Sequence, residues 1–322
     1  MPAWGCAFAL LAFPVAPASE FVPVVSRSIQ QFKPGSPQTR YGSLEFIGGI
    51  QYSSSDSRVG GVSAIRFRPN GRDFVAVLDT GDWMTGSIVR DADGRISDLS
   101  QLSVVAMRAQ EQNPSKFDVD AEGLAVREGE LLVGFERRHR IDAYPDPGFE
   151  TAQPRSVDMV IPRRELRANG GIETLATAPA DSALKGAVVV VAERSIDEDG
   201  NLFAAVLDGP LKGIFKVVRN EPWAVTDGAF LEGGDLLLLE RRFSYTGGVG
   251  MRIRRIEAGV IRPGALIDGE VLIEADMGAE IDNMEGLDVV RGPDGVPRII
   301  VVSDDNRSFL QRNLMLEFRL TE

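Results

Sequence analysis

The stretch EGLAVREGELLVGFERRHR, residues 122–140, decides the fold because its pattern recurs along the chain. An acidic and a small residue begin a short apolar segment, a turn with glycine follows, and a second apolar segment ends in a charged cluster. Four further starts of this kind are SAIRF at Ser63, ETLAT at Glu173, DGAFL at Asp227 and EGLDV at Glu285. The starts are roughly 50 to 60 residues apart, which is the spacing of four-stranded propeller blades with long loops.

A second apolar segment follows each start. These segments are FVAVLDTGD, LLVGFERR, VVVVAERS, LLLLERR and IIVVSDDN. Between the two segments lie turn signals such as RPNGRD (68–73) and LEGGD (231–235), in which glycine stands beside Asn, Asp or Glu as tight turns require. Paired short strands with such turns predict an all-β protein, and their regular repetition predicts a β-propeller.

The unmatched segment GSLEFIGGIQY, residues 42–52, raises the predicted number of four-stranded blades to about six, although the variable loops also allow five or seven. We expect this N-terminal segment and the C-terminal LMLEFRL (314–320) to close the last blade, because pairing of both ends leaves no exposed sheet edge. No low-complexity linker interrupts residues 42–322, so one propeller domain is predicted there.

The N-terminal residues 1–18 have an apolar stretch that ends in the small-residue pattern APA at 16–18, which is typical of a secretory signal peptide. A buried N-terminal segment is the alternative. Residues 19–41 are rich in Pro, Ser and Gln, and we predict a loosely ordered lead-in. The single cysteine, Cys6, lies in the signal segment, so the mature chain has no disulfide, and a periplasmic or secreted location is expected.

The charge balance bears on the partners of the protein. Asp and Glu outnumber Lys and Arg by 47 to 35, which gives a formal net charge of -12. Such a charge disfavours nucleic acid and anionic membrane surfaces, and no other apolar run has the length of a membrane span. We therefore expect a monomer that binds cations or a small molecule, with no nucleic acid and no membrane after signal cleavage.

Carboxylates stand at the start of four first strands, and first strands line the central channel of a propeller. They would meet as a partial ring at one mouth of the channel, formed by Glu122, Glu173, Asp227 and Glu285. Such a ring is costly unless cations, arginines or protons compensate it. The pattern predicts a calcium site or an acid-lined pocket at this mouth.

A second set of charges ends the second strands. It comprises Asp79, Glu136, Glu193, Glu240 and Asp304, with neighbouring arginines Arg137, Arg138, Arg194 and Arg241. Successive strand residues point to opposite faces, so a glutamate and its neighbouring arginine do not share one pocket on a regular strand. Two interpretations remain open: salt bridges between blades, or contacts to a substrate or metal.

Two further features are candidate parts of a site. Asp304, Asp305 and Asn306 leave one strand together, and such oxygen clusters suit calcium, although a turn stabilised by their side chains is an equal alternative. His139 is the only histidine, and it is either a surface residue or a general acid or base. No G-x-S-x-G motif is present, and one histidine with one cysteine excludes a zinc site of the usual kind.

The repeated EGLAV and GFERRHR segments, with the terminal NMEGLDVV and VVSDDNR, resemble the bacterial phytase-like domain family described as "esterase-like activity of phytase". The resemblance covers roughly residues 42–320 and implies an exported β-propeller that hydrolyses a phosphoester or ester with metal-activated water at the channel mouth. We assign catalytic roles to Glu122, Glu285, Asp304 and His139, and substrate binding to Arg137, Arg138, Arg194 and Arg241. The expected calcium ligands are Glu122, Glu173, Asp227, Glu285, Asp304 and Asp305.

A function of another class uses the same residues. A non-catalytic periplasmic propeller would bind a ligand or a protein partner and would hold calcium for stability alone. Melting that responds to a chelator, without hydrolysis of any ester, would distinguish it from the hydrolase.

Overall fold

Five sheets form the protein, as described by a computed structural model for residues 21–111, 114–244, 247–292 and 294–321. All strand pairs in them are antiparallel except one. Three strands precede the first complete blade: β1 (Val25–Ile29), β2 (Arg40–Tyr41) and β3 (Leu44–Ser53). The first blade contains β4 (Val62–Phe67), β5 (Asp73–Leu78), β6 (Asp82–Arg90) and β7 (Ile96–Ala106). The second blade contains β8 (Ala121–Arg127), β9 (Glu130–Phe135), β10 (Arg140–Pro145) and β11 (Arg155–Val157).

The remaining blades follow in chain order. The third contains β12 (Ile172–Thr177), β13 (Val188–Ile196), β14 (Leu202–Val206) and β15 (Gly213–Val217), with the short β19 (Leu266–Ile267) added in parallel. The fourth contains β16 (Ala224–Phe230), β17 (Leu236–Ser244), β18 (Gly248–Ile256) and β20 (Glu270–Asp276). The fifth contains β21 (Asn283–Arg291), β22 (Pro297–Asp304) and β23 (Asn313–Leu320) together with β3, β1 and β2.

Helix is scarce in the described ranges. It consists of α1 (Lys116–Val119) and two 3₁₀ turns, Arg163–Glu165 and Ala258–Val260. No helix of these ranges has the length and apolar character needed to cross a membrane.

The apolar segments become strands that are buried on both faces, because each blade packs between two others. The run Leu236–Leu239 shows this directly: Leu237 and Leu239 pack into the core shared with the fifth blade, whereas Leu236 and Leu238 pack into the core shared with the third. This alternation is the period of two that a strand imposes on its side chains. The near-continuous apolar runs in the sequence therefore mark second strands inside the ring.

The first strands of the five blades, β4, β8, β12, β16 and β21, contact one another in sequence and close a ring around the channel. The predicted β-propeller is confirmed, but the predicted number of six blades is wrong. Residues 42–52 do not begin a blade of their own, because β3 pairs with β23 as the fourth strand of the fifth blade. Closure by strands from both ends of the chain is therefore the arrangement that the sequence indicated.

The segment 19–41 is more structured in its described part than a loose lead-in. Strand β1 pairs with β3 along its whole length, and Phe32 is only 1% exposed, against Phe46 and Phe318 of the fifth blade. The prediction of a loose segment was based on its Pro, Ser and Gln content, and it overlooked the buried aromatic residue Phe32. The predicted signal peptide, residues 1–18, lies outside the described residues.

Candidate functional site

Every first strand carries a β-bulge at the same place near its start. The bulged residues are Ser63, Glu122, Glu173, Thr226 and Glu285. A bulge inserts one unpaired residue and re-aims its side chain. Four of the five bulged side chains line one cavity at this mouth of the channel, and Thr226 instead donates a hydrogen bond to the carbonyl oxygen of Met284 (3.1 Å).

A second ring lies beside the bulges, at the end of each second strand. Strand pairing places its five members opposite the residue two positions before each bulge: Asp79, Glu136, Glu193, Arg241 and Asp304. All five line the same cavity. Four blades thus supply a carboxylate at this position, and the fourth blade supplies a guanidinium.

The cavity enclosed by both rings, here called the carboxylate cavity, has a volume of about 230 Å³. All of its lining residues are polar or charged: Ser63, Asp79, Lys116, Asp120, Glu122, Glu136, Arg137, Asn169, Glu173, Glu193, Arg194, Arg241, Glu285, Asp304 and Asn306. Eight carboxylates therefore face four basic side chains. A buried excess of carboxylates is costly unless protons or cations compensate it.

Two groups of three carboxylates are close enough to share a cation. Asp120, Glu122 and Glu136 form one group, and Glu136, Glu173 and Glu193 form the other, with one oxygen of each residue within 4.8 Å of the others. Glu136 belongs to both groups and is held in place by the backbone amides of Gly170 (2.5 Å) and Gly171 (3.2 Å). These clusters have the composition of a site for a hard, oxygen-binding metal ion.

Glu173 is the clearest candidate ligand for a cation in the carboxylate cavity. Its side chain is only 8% exposed and lines the carboxylate cavity, yet it accepts no hydrogen bond from the residues that the structure describes. Glu122 likewise has no donor among them. Burial, followed by repulsion from neighbouring carboxylates, raises the pKa of both groups well above the usual value. Both groups therefore favour the protonated form more than an ordinary carboxyl group does, and a bound cation would oppose this shift.

The other acids of the cavity are also shifted. Burial raises the pKa of Asp304 to about 7, with repulsion from Glu285 and Asp79 adding to it. Burial raises the pKa of Glu285, Glu193 and Asp79 in the same direction against the opposing effect of nearby cations. Burial thus raises the pKa of several carboxyl groups in one cavity, and clusters of raised carboxyl pKa values recur at functional sites.

Arg241 is the basic member of the second ring. Its Nε lies 3.1 Å from Glu285 Oε1, and its Nη2 lies 3.7 Å from Glu193 Oε1. The pKa of Arg241 is raised, with the charge of Glu285 as the largest cause. Arg194 also contacts Glu193 (3.1 Å), and Arg137 binds Asp120 (2.9 Å). Guanidinium groups thus stand at the border of the cavity, beside the carboxylate clusters.

The structure brings together seven of the residues that the sequence pointed to: Glu122, Glu173, Glu285, Asp304, Arg137, Arg194 and Arg241. It does not bring Asp227 to the cavity. Asp227 follows the bulge at Thr226, is fully buried and binds the Arg66 guanidinium at 2.7 and 2.8 Å. The sequence motif was aligned one residue too far along in the fourth blade.

The same one-residue offset affects Glu240. The sequence placed it in the second ring, but Arg241 occupies that position and Glu240 points away, between Arg252 (2.5 Å) and Arg254 (2.7 Å). Glu240 thus forms a structural salt bridge, but within its own blade rather than between blades, because Arg252 and Arg254 both lie on β18. Glu136 and Glu193 instead face the cavity.

Three other predicted site residues lie outside the carboxylate cavity. Asp305 faces a neighbouring pocket and binds the Asn313 side chain (2.8 Å), and Arg138 is exposed and pairs with Asp118. His139 packs against Gly171 behind Glu136, with a pKa that burial lowers. Asp305 lies between two cavity residues, and Arg138 and His139 directly follow two others, Glu136 and Arg137, so the sequence alone does not separate them.

Sequence reasoning did not assign four lining residues to the site: Ser63, Lys116, Asp120 and Asn169. Asn306, which the sequence placed in an oxygen cluster with Asp304 and Asp305, also lines the cavity. Asp120 had a detectable signal, because it precedes the repeated start by two residues, and position –2 pairs with the second ring. Ser63 stands at a recognised repeated start but carries no charge, and Lys116 and Asn169 come from the segments between blades.

Comparison with known proteins identifies the family of this chain. The sequence profile of the Phytase-like family, described as esterase-like activity of phytase, matches residues 57–307. The chain belongs to this family. Its membership suggests a hydrolase-like function for this Phytase-like chain, and the matched range contains both rings of the carboxylate cavity. No curated protein matches the sequence.

Among solved structures, the Phytase-like chain is similar to "Structure of U3-55K", with 11% identity and a TM-score of 0.39. The similarity covers 81% of this chain and 96% of that one.

Proposed function

We propose that the protein is an exported, calcium-dependent hydrolase of phosphoesters or esters, with its active site in the carboxylate cavity. The observation that carries this proposal is Glu173, a buried carboxylate without a donor among the described residues, within 4.8 Å of two further carboxylates. Membership of the Phytase-like family supports hydrolysis as the class of reaction.

Calcium suits the donor set better than other common metals. The cavity offers carboxylate, amide and hydroxyl oxygens, and none of its lining residues is a histidine or a cysteine. Calcium accepts six to eight oxygen ligands in flexible geometry, whereas zinc favours nitrogen and sulfur. Glu122, Glu136 and Glu173 would hold the ion, together with Asp120 and Glu193 from the two clusters.

The bound ion would supply positive charge and an acidified water to a substrate that the acidic cavity alone would repel. The remaining steps belong to the chain itself. Arg241 and Arg194 stand beside Glu193 and offer planar N–H donors to a phosphate or carboxylate oxygen of the substrate. Asp304, with its pKa of about 7, holds or releases a proton on its carboxyl oxygen near neutral pH, as a general acid or base must.

The test compares two glutamate variants of the second blade. Glu136→Gln removes one charge from both carboxylate clusters, and we expect it to weaken calcium binding in calorimetry by roughly 100-fold. Hydrolysis of p-nitrophenyl phosphate and p-nitrophenyl acetate should fall with it. Glu128→Gln is the matched control, because Glu128 is exposed in the turn between β8 and β9, away from the cavity.

Three outcomes separate the candidates. Calcium-dependent turnover that Glu136→Gln removes and Glu128→Gln retains supports the hydrolase. Calcium binding and stabilisation without turnover of either ester would replace it with a metal-stabilised binding propeller. Unchanged calcium affinity in Glu136→Gln would rule out the proposed ligand set.

A further inference from the structure

A second pocket lies beside the carboxylate cavity, separated from it by one turn. Along this turn, here called the dividing turn (residues 304–307), side chains alternate: Asp304 and Asn306 line the carboxylate cavity, whereas Asp305 and Arg307 line the neighbouring pocket. The two spaces therefore share a wall that is a single backbone thick.

The dividing turn is held in an uncommon backbone conformation. Asn306 and Arg307 have φ values of 46° and 52°, in the left-handed region that side chains other than glycine rarely adopt. Asp304 accepts a hydrogen bond from the Asn306 amide (2.7 Å), and Asp305 accepts one from the Arg307 amide (3.0 Å), so both acids fix the turn. Strain of this kind that the surroundings maintain is concentrated at functional sites.

The neighbouring pocket, here called the side pocket, has a volume of about 430 Å³. Its lining combines apolar, aromatic and basic side chains: Tyr52, Val59, Arg307, Phe309 and Arg312 stand among smaller polar residues. Phe309 is 96% exposed, although it is a large aromatic residue at the rim of a pocket. Arg307 donates a hydrogen bond to the carbonyl oxygen of Ser57 (3.2 Å). Its charge also opposes the rise that burial causes in the pKa of Asp79, so it acts on both spaces.

The small volume and the polar lining of the carboxylate cavity both indicate that part of a substrate lies in a second space. The carboxylate cavity is smaller than the roughly 300–1,000 Å³ typical of small-molecule sites, and its lining has no apolar residue. It fits cations and one compact polar group, such as a phosphate. The organic part of an ester must therefore lie outside it, and the side pocket is the adjacent space that offers aromatic and aliphatic surface.

We propose that the side pocket binds the aromatic group of an aryl ester or aryl phosphoester whose polar group lies in the carboxylate cavity. Phe309 would stack on the aromatic ring, and the substrate would cross the exposed crest of the dividing turn at Asn306 and Arg307. This inference rests on the proposed function for the position of the polar group, and it adds the substrate class.

The pocket at the opposite mouth of the channel does not meet this requirement. It has a volume of about 440 Å³ and apolar lining residues such as Val126 and Phe230, but Arg66 stands between it and the carboxylate cavity. The Arg66 guanidinium donates to Asp227 and to backbone carbonyls of the first strands, including Leu175 (2.7 Å) and Leu287 (2.9 Å). A ligand there has no route through the channel to the carboxylates.

Binding of two stable phosphonates tests the proposal without any need for turnover. In calorimetry with calcium present, 1-naphthylphosphonate should bind the full protein about tenfold more tightly than methylphosphonate. Phe309→Ala should remove most of this preference, whereas Leu310→Ala should retain it. Leu310 is the matched control because it is also exposed, at 77%, on the same loop and does not line the side pocket.

The results distinguish this inference from the proposed function. A preference for the naphthyl compound that depends on Phe309 supports the side pocket even if no ester is hydrolysed, in which case only the hydrolase fails. Equal binding of the two phosphonates, or binding of neither, overturns the aryl subsite even if esters are hydrolysed. An equal loss in Phe309→Ala and Leu310→Ala also overturns it, because a general effect of the loop would then explain the binding.

Discussion

Arg66 shows how much one side chain contributes at the centre of this fold. Its buried guanidinium donates hydrogen bonds to Asp227 and to carbonyl oxygens of the first, third, fourth and fifth blades: Ile65, Leu175, Gly228 and Leu287. A buried ion pair is favourable only when further hydrogen bonds satisfy its remaining groups, and here they do.

Removal of Arg66 should therefore leave a buried charge without a partner. We expect Arg66→Met to lower the free energy of unfolding by about 3–5 kcal/mol, measured by urea denaturation. The double variant Arg66→Met, Asp227→Asn should lose less than the single variant, since it leaves no charge behind. A double variant that is less stable than Arg66→Met would contradict the assignment of Asp227 as the partner.

Asp304 gives a pH dependence with a definite sign. Its pKa rises from the ordinary value of 3.8 to about 7 in the folded protein, so the folded state binds a proton more tightly than the unfolded state. The stability from this group is complete below about pH 4 and is lost as the pH rises through 7. In calcium-free protein, we expect Asp304→Asn to flatten the decrease in melting temperature between pH 5 and pH 8.

The measurement is thermal unfolding in chelator over that pH range. The wild-type melting temperature should decrease towards pH 8 by several degrees more than that of Asp304→Asn. Parallel curves for the two proteins would show that the Asp304 pKa is not raised.

At the scale of the strands, the bulge in each first strand determines which residues reach the site. The sequence predicted the first strands and their acids in the second, third and fifth blades, because EGLAV, ETLAT and EGLDV align without shifts. It failed in the fourth blade, where TDGAF carries Thr226 at the bulge and Asp227 one position later. A bulge is set by strand pairing, which a single segment of sequence does not reveal.

In the fourth blade, the second-ring position is occupied by Arg241 rather than by Glu240. Arg241 takes the place of a second-ring carboxylate and pairs with Glu285. We expect Arg241→Gln to destabilise calcium-free protein more than calcium-bound protein, because it removes a built-in cation that calcium can partly replace. The stabilisation on calcium addition, measured as the shift in melting temperature, should increase.

The conservative variant Arg241→Lys provides the control. It keeps the charge and should restore most of the calcium-free stability of the wild type. An equal loss of stability in Arg241→Gln with and without calcium would indicate a packing role alone.

At the scale of the whole molecule, the sequence established the propeller and its closure but not the number of blades. Five repeated starts were visible, and the sixth unit arose from counting β3 apart from β23, although these strands share one sheet. The pairing partner of an N-terminal strand lies some 270 residues away, as in Gly49 with Leu316, and no local pattern encodes it. The side pocket was likewise invisible, since distant segments around Tyr52 and Phe309 form it.

Closure of the ring depends on close contact between these two strands. A Cβ at Gly49 would lie 2.5 Å from the Met315 carbonyl oxygen, so Gly49→Val should cost roughly 2–3 kcal/mol of unfolding free energy in urea denaturation. Gly233→Ala is the control, because a Cβ there meets nothing within 4 Å. Equal stability of Gly49→Val and the wild type would contradict the observed pairing.

The split fifth blade also has a consequence for synthesis on the ribosome. Four blades can form while the chain is still being made, but Glu285, Asp304 and the partner of β3 arrive only with the last strands, β21 to β23. A nascent chain that stops before Asn313 leaves β3 without its partner and the ring open. We therefore expect a chain truncated before Asn313 to be an open ring with unpaired edges at β3 and β22, and so a substrate for proteases rather than a partly active protein.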